Sequence, residues 1–397
     1  MAKTMRISYF GHDSSDAAIR KRVRTFEKCG YEVHGFMNKR LDGPDPEWRN
    51  VELGHTRNGA FIDRIWSVFR GAFRAAKHKQ VLADSDLIVA RNLDMLATAF
   101  LTKRLTGLDT PVAYECLDVH RLLCREDIIG WVTRKFEGTF LKRSRGVLVS
   151  SPAFVSNHFE RWYPGRYRAF LVENRLSAAF SQSVARPEKS STAKVDAPLR
   201  LGWVGILRCQ RSLDLLVRVA ETFGDKVEIN LHGRPVEHSV PKFYETIDGY
   251  ENILLHGAYD APADLPGIYG QLDLIWAGDF MEAGLNSKWL LPNRIYEGGY
   301  FGVPAIAPAD SQTGAWVEQH QAGFVVAEPI EQSLTDTVRD LSNDRTRVER
   351  VRNSVLDLPE AAFVEPDDYM ADVLEKLLHE KTPTPTKPIS IGQPDQA

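Results

Sequence analysis

The chain has 397 residues, of which 43% are hydrophobic and 26% are charged, as in an ordinary globular protein. This composition excludes wholesale disorder and collagen-like or coiled-coil chains, and the absence of an uncharged apolar stretch of about 18 residues predicts no membrane-spanning helix. The first residues have too short an apolar run for a signal peptide, so we expect a cytoplasmic protein.

The net charge of −3 conceals a basic and an acidic half. Residues 1–200 carry 34 Lys and Arg against 22 Asp and Glu, whereas residues 201–397 carry 16 against 31. A basic half indicates an anionic partner, which can be a membrane surface, a phosphorylated lipid or a nucleic acid. Because no nucleic-acid recognition motif is present, we expect no nucleic-acid partner.

The first half of the chain reads as strands that alternate with helices. Strands are predicted at residues 6–10, 31–36, 87–90, 111–116, 146–150 and 168–172. Such alternation is typical of βαβ units in a parallel sheet. We therefore predict an N-terminal Rossmann-like domain over residues 1–180, which would bind the anionic partner.

The second half repeats this architecture after a Ser-, Ala- and Pro-rich stretch, 181–198, which is predicted as a linker. Its strands are predicted at residues 199–204, 226–232, 253–256, 272–276, 303–307 and 323–326. A C-terminal Rossmann-like domain is thus expected over 199–360. A helix within 361–380 can cross back to the first domain, and a disordered tail is expected at 381–397.

Two such α/β domains in tandem predict a ligand cleft between them, because ligands of open parallel sheets bind at the carboxyl ends of the strands. One candidate site follows the strand 199–204. Gly205 ends that strand, Arg208 and Arg211 lie in the next loop, and Ser212 is a candidate N-cap. Guanidinium groups beside a helix N-terminus suit a diphosphate. The alternative is two solvated loop arginines.

A second candidate site begins at Pro292, a residue suited to a helix start. Glu297 lies inside that helix, where its carboxylate could accept hydrogen bonds from a ribose diol. Gly298 and Gly299 are poor residues for a helix interior, which indicates a close approach of backbone or ligand. The alternative is that Glu297 is an exposed residue paired with Arg294.

These residues resemble a known family. The pattern Pro292-x-Arg294-x-x-Glu297-Gly298, followed by Gly302-x-Pro304 and a strand, resembles the signature of the retaining GT-B glycosyltransferases of family 4. The segments YECLDVHR and LLPNRIYEGG are most similar to bacterial exopolysaccharide glycosyltransferases of the succinoglycan-assembly kind. The resemblance implies a GT-B fold, a nucleotide-sugar donor and transfer with retention.

The resemblance also implies roles for individual residues. Gly205 and Arg211 fall where the family has a glycine and a phosphate-binding lysine, and Glu297 falls at the glutamate that binds ribose. The family has a second glutamate eight positions earlier, but Trp289 occupies that place here. The nearest analogue is Glu282, in a segment that resembles the family's Glu-x-Gly-Leu.

A third candidate site lies after the strand 111–116, where Asp118 and His120 follow its carboxyl end. In the resembling family a histidine of this domain reaches the donor sugar, and His120 is the candidate. The alternative is a structural histidine paired with Asp118. If the enzyme inverted configuration instead, Asp118 could be the general base.

The loop 11–16 is a fourth candidate. Gly11 ends the first strand, and His12 follows it. A small residue there would let the donor phosphates or the acceptor approach closely. The alternative is a plain turn between strand and helix.

A basic aromatic region, 61–80, is a fifth feature. Ile62, Ile65, Trp66, Phe69 and Phe73 recur at helical spacing, and five Lys and Arg flank them. Such a helix could lie on an anionic membrane, with support from the basic cluster 142–145. The alternative is a core-facing helix with a solvated basic face.

We therefore expect a glycosyltransferase that transfers a hexose, glucose by resemblance, from a UDP-linked donor to a polyprenyl-diphosphate-linked oligosaccharide at the inner face of the cytoplasmic membrane. Asp84-Ser85-Asp86 precedes a strand and reads as a turn rather than a metal site. Arginines and a helix dipole could neutralise the diphosphate, so no metal or cofactor is expected. The alternatives are a nucleotide-sugar 2-epimerase and a non-catalytic GT-B subunit of a polysaccharide assembly complex.

Overall fold

The computed structural model describes residues 4–39, 45–55, 61–189, 197–281 and 285–379. The chain divides into two compact units. The first runs up to Val172 and resumes at Asp367, and the second is Glu173–Pro366. The segment predicted as a disordered tail, 381–397, lies outside the described residues.

The first unit is built on a parallel sheet of seven strands. These are β1 (Arg6–Gly11), β2 (Glu32–Lys39), β3 (Arg49–His55), β4 (Leu87–Arg91), β5 (Val112–Cys116), β6 (Val147–Val149) and β7 (Ala169–Leu171). Their order is β3-β2-β1-β4-β5-β6-β7. Six were predicted because they are compact apolar runs. The edge strand β3 was missed because only Val51 and Leu53 alternate with its polar residues.

Helices cover both faces of this sheet. They are α1 (Ala17–Lys28), α2 (Phe61–Ala76), α3 (Lys79–Ala83), α4 (Asn92–Thr106), α5 (Arg121–Cys124), α6 (Ile128–Leu141), α7 (Pro152–Phe154) and α8 (Glu160–Trp162), with a π-helical turn, Val155–Phe159, joining the last two. Asp16 caps α1 by accepting from the Ile19 amide at 2.9 Å, a preferred N-cap arrangement.

The second unit contains a six-stranded parallel sheet and a two-stranded one. The strands are β8 (Leu176–Ser177), β9 (Leu199–Val204), β10 (Val227–His232), β11 (Ile253–Gly257), β12 (Leu274–Trp276), β13 (Ala305–Pro308), β14 (Gly323–Val326) and β15 (Val364–Glu365). The larger sheet has the order β11-β10-β9-β12-β13-β14, and β15 pairs with β8.

The helices of this unit flank the larger sheet. They are α9 (Ala178–Ser183), α10 (Gln210–Phe223), α11 (Phe243–Ile247), α12 (Leu265–Tyr269), α13 (Asn293–Tyr300), α14 (Gln312–Gln319), α15 (Ile330–Asn343) and α16 (Arg345–Asp357). Single turns of 3-10 helix occur at Gly224–Lys226, Ser287–Trp289 and Glu360–Ala362. Because all strands of the sheet run parallel, their carboxyl ends share one edge.

The last helix, α17 (Tyr369–His379), belongs to the first unit although it follows the second in the chain. Its Met370, Val373, Leu374 and Leu377 are buried in one apolar cluster with residues of α1 and the first sheet. The Tyr369 hydroxyl donates to the Leu171 carbonyl oxygen at 2.5 Å. Among the described helices, none combines the length and the apolarity that crossing a membrane requires.

Candidate functional site

Three neighbouring strands of the second unit end at glycines with positive φ. Gly205 follows β9 (φ +128°), Gly233 follows β10 (φ +142°), and Gly257 is the last residue of β11 (φ +78°). A Cβ atom on Gly233 would lie 1.7 Å from the Gly205 carbonyl oxygen. Glycine is therefore required at position 233 by this contact, and the positive φ favours it at all three positions. The result is an edge lined by backbone, open to close approach by a ligand.

The first turn of α10 lies beside this edge. Its N-cap is Cys209, whose sulfur accepts from the Ser212 amide at 3.4 Å. The prediction that Ser212 is the N-cap is therefore wrong. Ser212 is already inside the helix and buried, and its hydroxyl donates to the Gly278 carbonyl oxygen at 3.4 Å. A thiol at an N-cap is unusual, so the serine was the stronger signal in the sequence.

Arg208 and Arg211 flank the start of α10. Nη2 of Arg208 lies 3.8 Å from a carboxylate oxygen of Asp279. Arg211 donates to Glu328, and its guanidinium lies over the Phe280 ring. Both arginines keep substantial exposure, so an anion can reach them. The guanidinium of Arg211 holds the pKa of Glu328 below its usual value.

Arg294, on α13, is buried beside Gly205. Its Nη2 donates to the Gly278 carbonyl oxygen at 2.9 Å, and its Nη1 lies 3.8 Å from the place of a Cβ on Gly205. Its Nε is buried with no hydrogen-bond partner in the described part of the chain. Burial lowers the pKa of Arg294, and the Asp279 carboxylate opposes that shift. A buried cation at a backbone-lined edge is suited to an anionic ligand.

Glu297 follows Arg294 by one helical turn. Only 8% of Glu297 is exposed, which excludes the alternative of an exposed helix residue. Its carboxylate accepts from the Tyr269 hydroxyl at 2.8 Å. Burial, followed by the charge of Glu297, raises the pKa of Tyr269. Tyr269, on α12, was not predicted, since nothing in the sequence links these two positions.

Gly298 and Gly299 are small because side chains of the protein approach them. A Cβ on Gly298 would lie 2.7 Å from Cδ1 of Ile275, and one on Gly299 would lie 2.2 Å from Cε1 of Phe363. Side chains rather than backbone thus make the close approach at these two glycines, and donor contact at Gly298 stays a prediction. These glycines fix how closely α13 packs onto the sheet.

In the first unit, His120 lies at the N-terminus of α5. Its Nδ1 accepts from the Leu122 amide at 3.3 Å. In the neutral ring the proton is then on Nε2, which is the remaining donor. Asp118 is exposed two residues earlier. The sugar-contacting role of His120 and the general-base role of Asp118 stay predictions, and Glu282 lies outside the described residues.

The Gly11 position is also explained by packing. A Cβ there would lie 2.9 Å from Cδ1 of Ile19 and 3.2 Å from Met37, so packing alone accounts for the glycine. The approach of a ligand to this loop stays a prediction. His12 lies 3.8 Å from the Asp16 carboxylate. Its role at a binding loop stays a prediction.

A buried polar cluster in the first sheet was not predicted. Glu115 accepts from Arg22 at 2.8 Å, from Arg91 at 3.0 Å and from the Tyr9 hydroxyl at 2.5 Å. Burial alone would raise the pKa of Glu115, but the two guanidinium groups hold it below its usual value. The sequence signal that could have indicated this cluster is Glu115 itself, an acid inside the otherwise apolar strand β5. Such pairs join neighbouring strands near their carboxyl ends.

The fold of this chain is shared with proteins of known structure. No protein-family profile matches this sequence. Sucrose-phosphate synthase from Thermosynechococcus elongatus is similar in structure, with a TM-score of 0.69, 14% identity and coverage of 94% of this chain and 99% of that one. Anabaena HepE, solved with UDP and glucose, has a TM-score of 0.67, 14% identity and the same coverage.

In sequence, the chain is 35% identical over 348 residues to the succinoglycan biosynthesis protein ExoL of Rhizobium meliloti, covering 85% of each protein. This chain belongs to the ExoL family, and its fold is of the GT-B type. The two Rossmann-like sheets of the GT-B fold are the two parallel sheets described above.

Proposed function

We propose that this protein is a glycosyltransferase of exopolysaccharide biosynthesis whose donor is a nucleoside-diphosphate sugar. ExoL is named for succinoglycan biosynthesis, and HepE binds UDP and glucose, which supports UDP-glucose as the donor. The observation that carries the proposal is the buried Arg294 beside Gly205. Burying a guanidinium whose Nε has no acceptor costs folding free energy, and a bound anion would remove that cost by accepting its hydrogen bond.

The donor diphosphate would lie on the glycine-lined edge, against the N-terminus of α10. Free amides and the helix dipole favour an anion there. Arg208 and Arg211 flank this end, so both can fork onto phosphate oxygens. The buried carboxylate of Glu297, oriented by Tyr269, would accept from the ribose hydroxyls, and Gly298 keeps its helix close to the sheet.

The reaction breaks the bond between the sugar C1 and the diphosphate oxygen and forms a bond from C1 to the acceptor oxygen. The acceptor hydroxyl loses its proton to the departing phosphate oxygen, which leaves as the nucleoside diphosphate. Charge develops on that phosphate, and Arg208, Arg211 and the α10 dipole would stabilise it without a metal. The proposed stereochemistry, retention, follows from the resemblance to family 4.

For the acceptor we propose a polyprenyl-diphosphate-linked oligosaccharide, met through peripheral contact with the inner face of the cytoplasmic membrane. The charge of the chain supports an anionic acceptor, because residues 1–200 hold 34 of the 50 Lys and Arg. The first unit, which holds most of these cations, is therefore the proposed acceptor-binding part.

Calorimetric titration of UDP, GDP and UDP-glucose tests the donor site. We expect micromolar UDP binding that falls at least about tenfold in Arg211→Ala and Glu297→Ala, since each removes a charged hydrogen bond. Arg218→Ala is the matched control, because Arg218 lies on the same helix and pairs with Glu331. If no nucleotide binds the folded protein, the donor site is wrong, and a non-catalytic subunit is favoured.

Product analysis separates the enzymatic alternatives. A transferase releases UDP in step with sugar transfer to a lipid-linked acceptor. A 2-epimerase would convert the UDP-sugar without any acceptor and without UDP as its end product. Epimer formation in the absence of acceptor would therefore contradict the proposed transfer.

A further inference from the structure

Exposed apolar side chains concentrate on two helices of the first unit. The described part of the chain has thirteen large apolar side chains that are exposed. Eight of them lie on α2 and α6: Trp66, Phe69, Phe73, Ile128, Ile129, Trp131, Val132 and Phe136. We call these eight residues the α2–α6 surface. An exposed apolar concentration of this kind marks a contact site for a protein or a membrane.

Helix α2 turns its aromatic side outwards. Gly71, Ala72 and Ala75 face inwards and are buried, and a Cβ on Gly71 would lie 3.3 Å from Thr98 of α4. Trp66 and Phe73, by contrast, are 65% and 58% exposed. The interpretation of this segment as a core-facing helix is therefore wrong for its described aromatic residues.

Helix α6 is inverted relative to an ordinary amphipathic helix. Its buried face carries Arg134 and Glu137. Arg134 donates to the Leu123 carbonyl oxygen at 2.8 Å, and Glu137 accepts from His158 at 2.7 Å. The opposite face exposes Trp131, at 53%. A helix that buries its charges and exposes its apolar side is suited to an apolar environment outside the protein.

Both helices belong to one layer, because α4 packs against each of them. Phe100 of α4 stacks on Phe140 of α6 with ring centroids 5.1 Å apart. Phe140 in turn packs edge-on against Phe136, at 4.7 Å. Both helices are therefore held by the same helix, α4, and their exposed apolar side chains lie on the outer side of that helix layer.

The charges around the α2–α6 surface are mostly positive. In sequence, helix α2 and the turn after it, residues 61–79, contain five Lys and Arg and a single acid, Asp63. On α6, Lys135 lies over the Trp131 ring at 5.6 Å, and Lys142 and Arg143 follow the helix. The two acids at its start are paired, Asp127 with Arg125 and Glu126 with Arg161.

This charge decides between two occupants of the surface. A second copy of the chain would place like charges against each other in a symmetric contact. An anionic lipid surface would instead accept the aromatic side chains at headgroup depth and attract the cations around them. The observations thus favour a lipid surface.

We propose that the α2–α6 surface docks this protein onto anionic lipid. The proposal extends the proposed function, because a lipid-linked acceptor is met at such a surface. Its test nevertheless measures membrane binding alone and does not depend on the donor site.

Vesicle flotation of the full chain tests the proposal. We expect binding to vesicles of mixed phosphatidylglycerol and phosphatidylcholine, weaker binding at high salt, and little binding to phosphatidylcholine alone. Phe73→Ser and Trp131→Ser, one on each helix, should each lower the partition about tenfold. Tyr244→Ser is the control, because Tyr244 lies in the second unit and, like Phe73, is 58% exposed.

Three measurements complete the design. Thermal unfolding checks that the variants fold, and titration with UDP checks the donor site separately. The proposal is overturned if the wild type binds neither kind of vesicle. It is also overturned if Phe73→Ser and Trp131→Ser bind as strongly as the wild type. Light scattering gives a further test in lipid-free solution. If the wild type is a dimer there and Trp131→Ser is a monomer, the surface is a protein interface and the proposal is overturned.

Discussion

Arg211 and Glu328 form a pair at the start of α10. Nη2 of Arg211 donates to both carboxylate oxygens of Glu328, at 2.8 and 3.1 Å. The guanidinium also lies 4.4 Å from the centre of the Phe280 ring. These contacts hold Arg211 near the proposed diphosphate site while the carboxylate neutralises its charge. A bound phosphate would have to compete with Glu328.

Replacing Glu328 should therefore strengthen donor binding. We expect Glu328→Gln to raise the affinity for UDP by up to about threefold, because an exposed ion pair contributes less than about 1 kcal/mol. The glutamine can still accept from the Ile330 amide, as Glu328 does. Calorimetric titration measures the change, with Glu331→Gln on the neighbouring Arg218 pair as control. A weaker UDP affinity in Glu328→Gln would show that Arg211 needs this carboxylate for positioning.

Replacing Arg294 should have opposite effects on the stability of the fold and on donor binding. Among the described residues, Arg294 forms no ion pair within 4.0 Å, although the Asp279 carboxylate acts on it from farther away. Removing this cation relieves its desolvation, so Arg294→Met should keep or raise the free energy of unfolding while lowering UDP affinity at least about tenfold. Denaturant unfolding and titration with UDP measure the two effects.

Arg345 is the matched control for Arg294. It is equally buried, but it donates to Asp273 at 2.8 Å. Arg345→Met removes the guanidinium partner of Asp273, whose carboxylate would keep only the Arg200 backbone amide as a donor in the described part of the chain. The variant should cost about 3 kcal/mol of stability with little effect on UDP binding. Equal loss of stability in both variants would contradict the absence of a stabilising partner for Arg294, and unchanged UDP affinity in Arg294→Met would contradict its binding role.

The Glu115 cluster should be important for the stability of the first unit. Glu115→Ala would leave the guanidinium groups of Arg22 and Arg91 buried without their shared carboxylate, at a cost of about 3–5 kcal/mol. Tyr9→Phe removes one hydrogen bond and should cost about 1 kcal/mol. Denaturant unfolding of both variants is the measurement. Similar losses in the two would show that the charges are not the main contribution.

His232 predicts an acid sensitivity of the second unit. Burial, and then the stacked ring of His256 at 4.1 Å, lower the pKa of His232 to about 4. Between pH 6.5 and 4 the unfolded chain therefore binds more protons than the folded one, and stability falls as the pH falls. From pH 7 to pH 4.5 the contribution is about 2 kcal/mol.

The variant His232→Asn isolates this effect. Its free energy of unfolding should fall less than that of wild type between the two pH values, by the amount contributed by His232. Denaturant titrations at both pH values measure the difference. An identical pH dependence in the two proteins would mean that His232 does not titrate in this range.

The sequence predicted most strands because short apolar runs between turn residues have few other interpretations. β9 and β14 were predicted with the bounds observed. β8 and β15, with two residues each, were missed because a pair that short leaves no pattern. Cys209 was missed as an N-cap because Ser212 is the better capping residue by type.

Helices α2 and α6 show what the spacing of apolar residues along a helix cannot predict. Regular spacing predicted an apolar face through Trp66, Phe69 and Phe73, but spacing does not say whether that face turns inwards. The answer depends on the partners of the opposite side. In α6, Arg134 and Glu137 find hydrogen bonds inside the protein, and these partners are distant in sequence.

The position of α17 has a consequence for synthesis. The second unit is one continuous segment, Glu173–Pro366, so it can fold as soon as it leaves the ribosome. The first unit cannot complete its folding at that stage, because its apolar cluster includes Met370, Leu374 and Leu377 of α17. The first sheet is translated earliest, but part of one face stays uncovered until α17 has been synthesised. A nascent chain stopped near Pro366 would therefore be a substrate for chaperones.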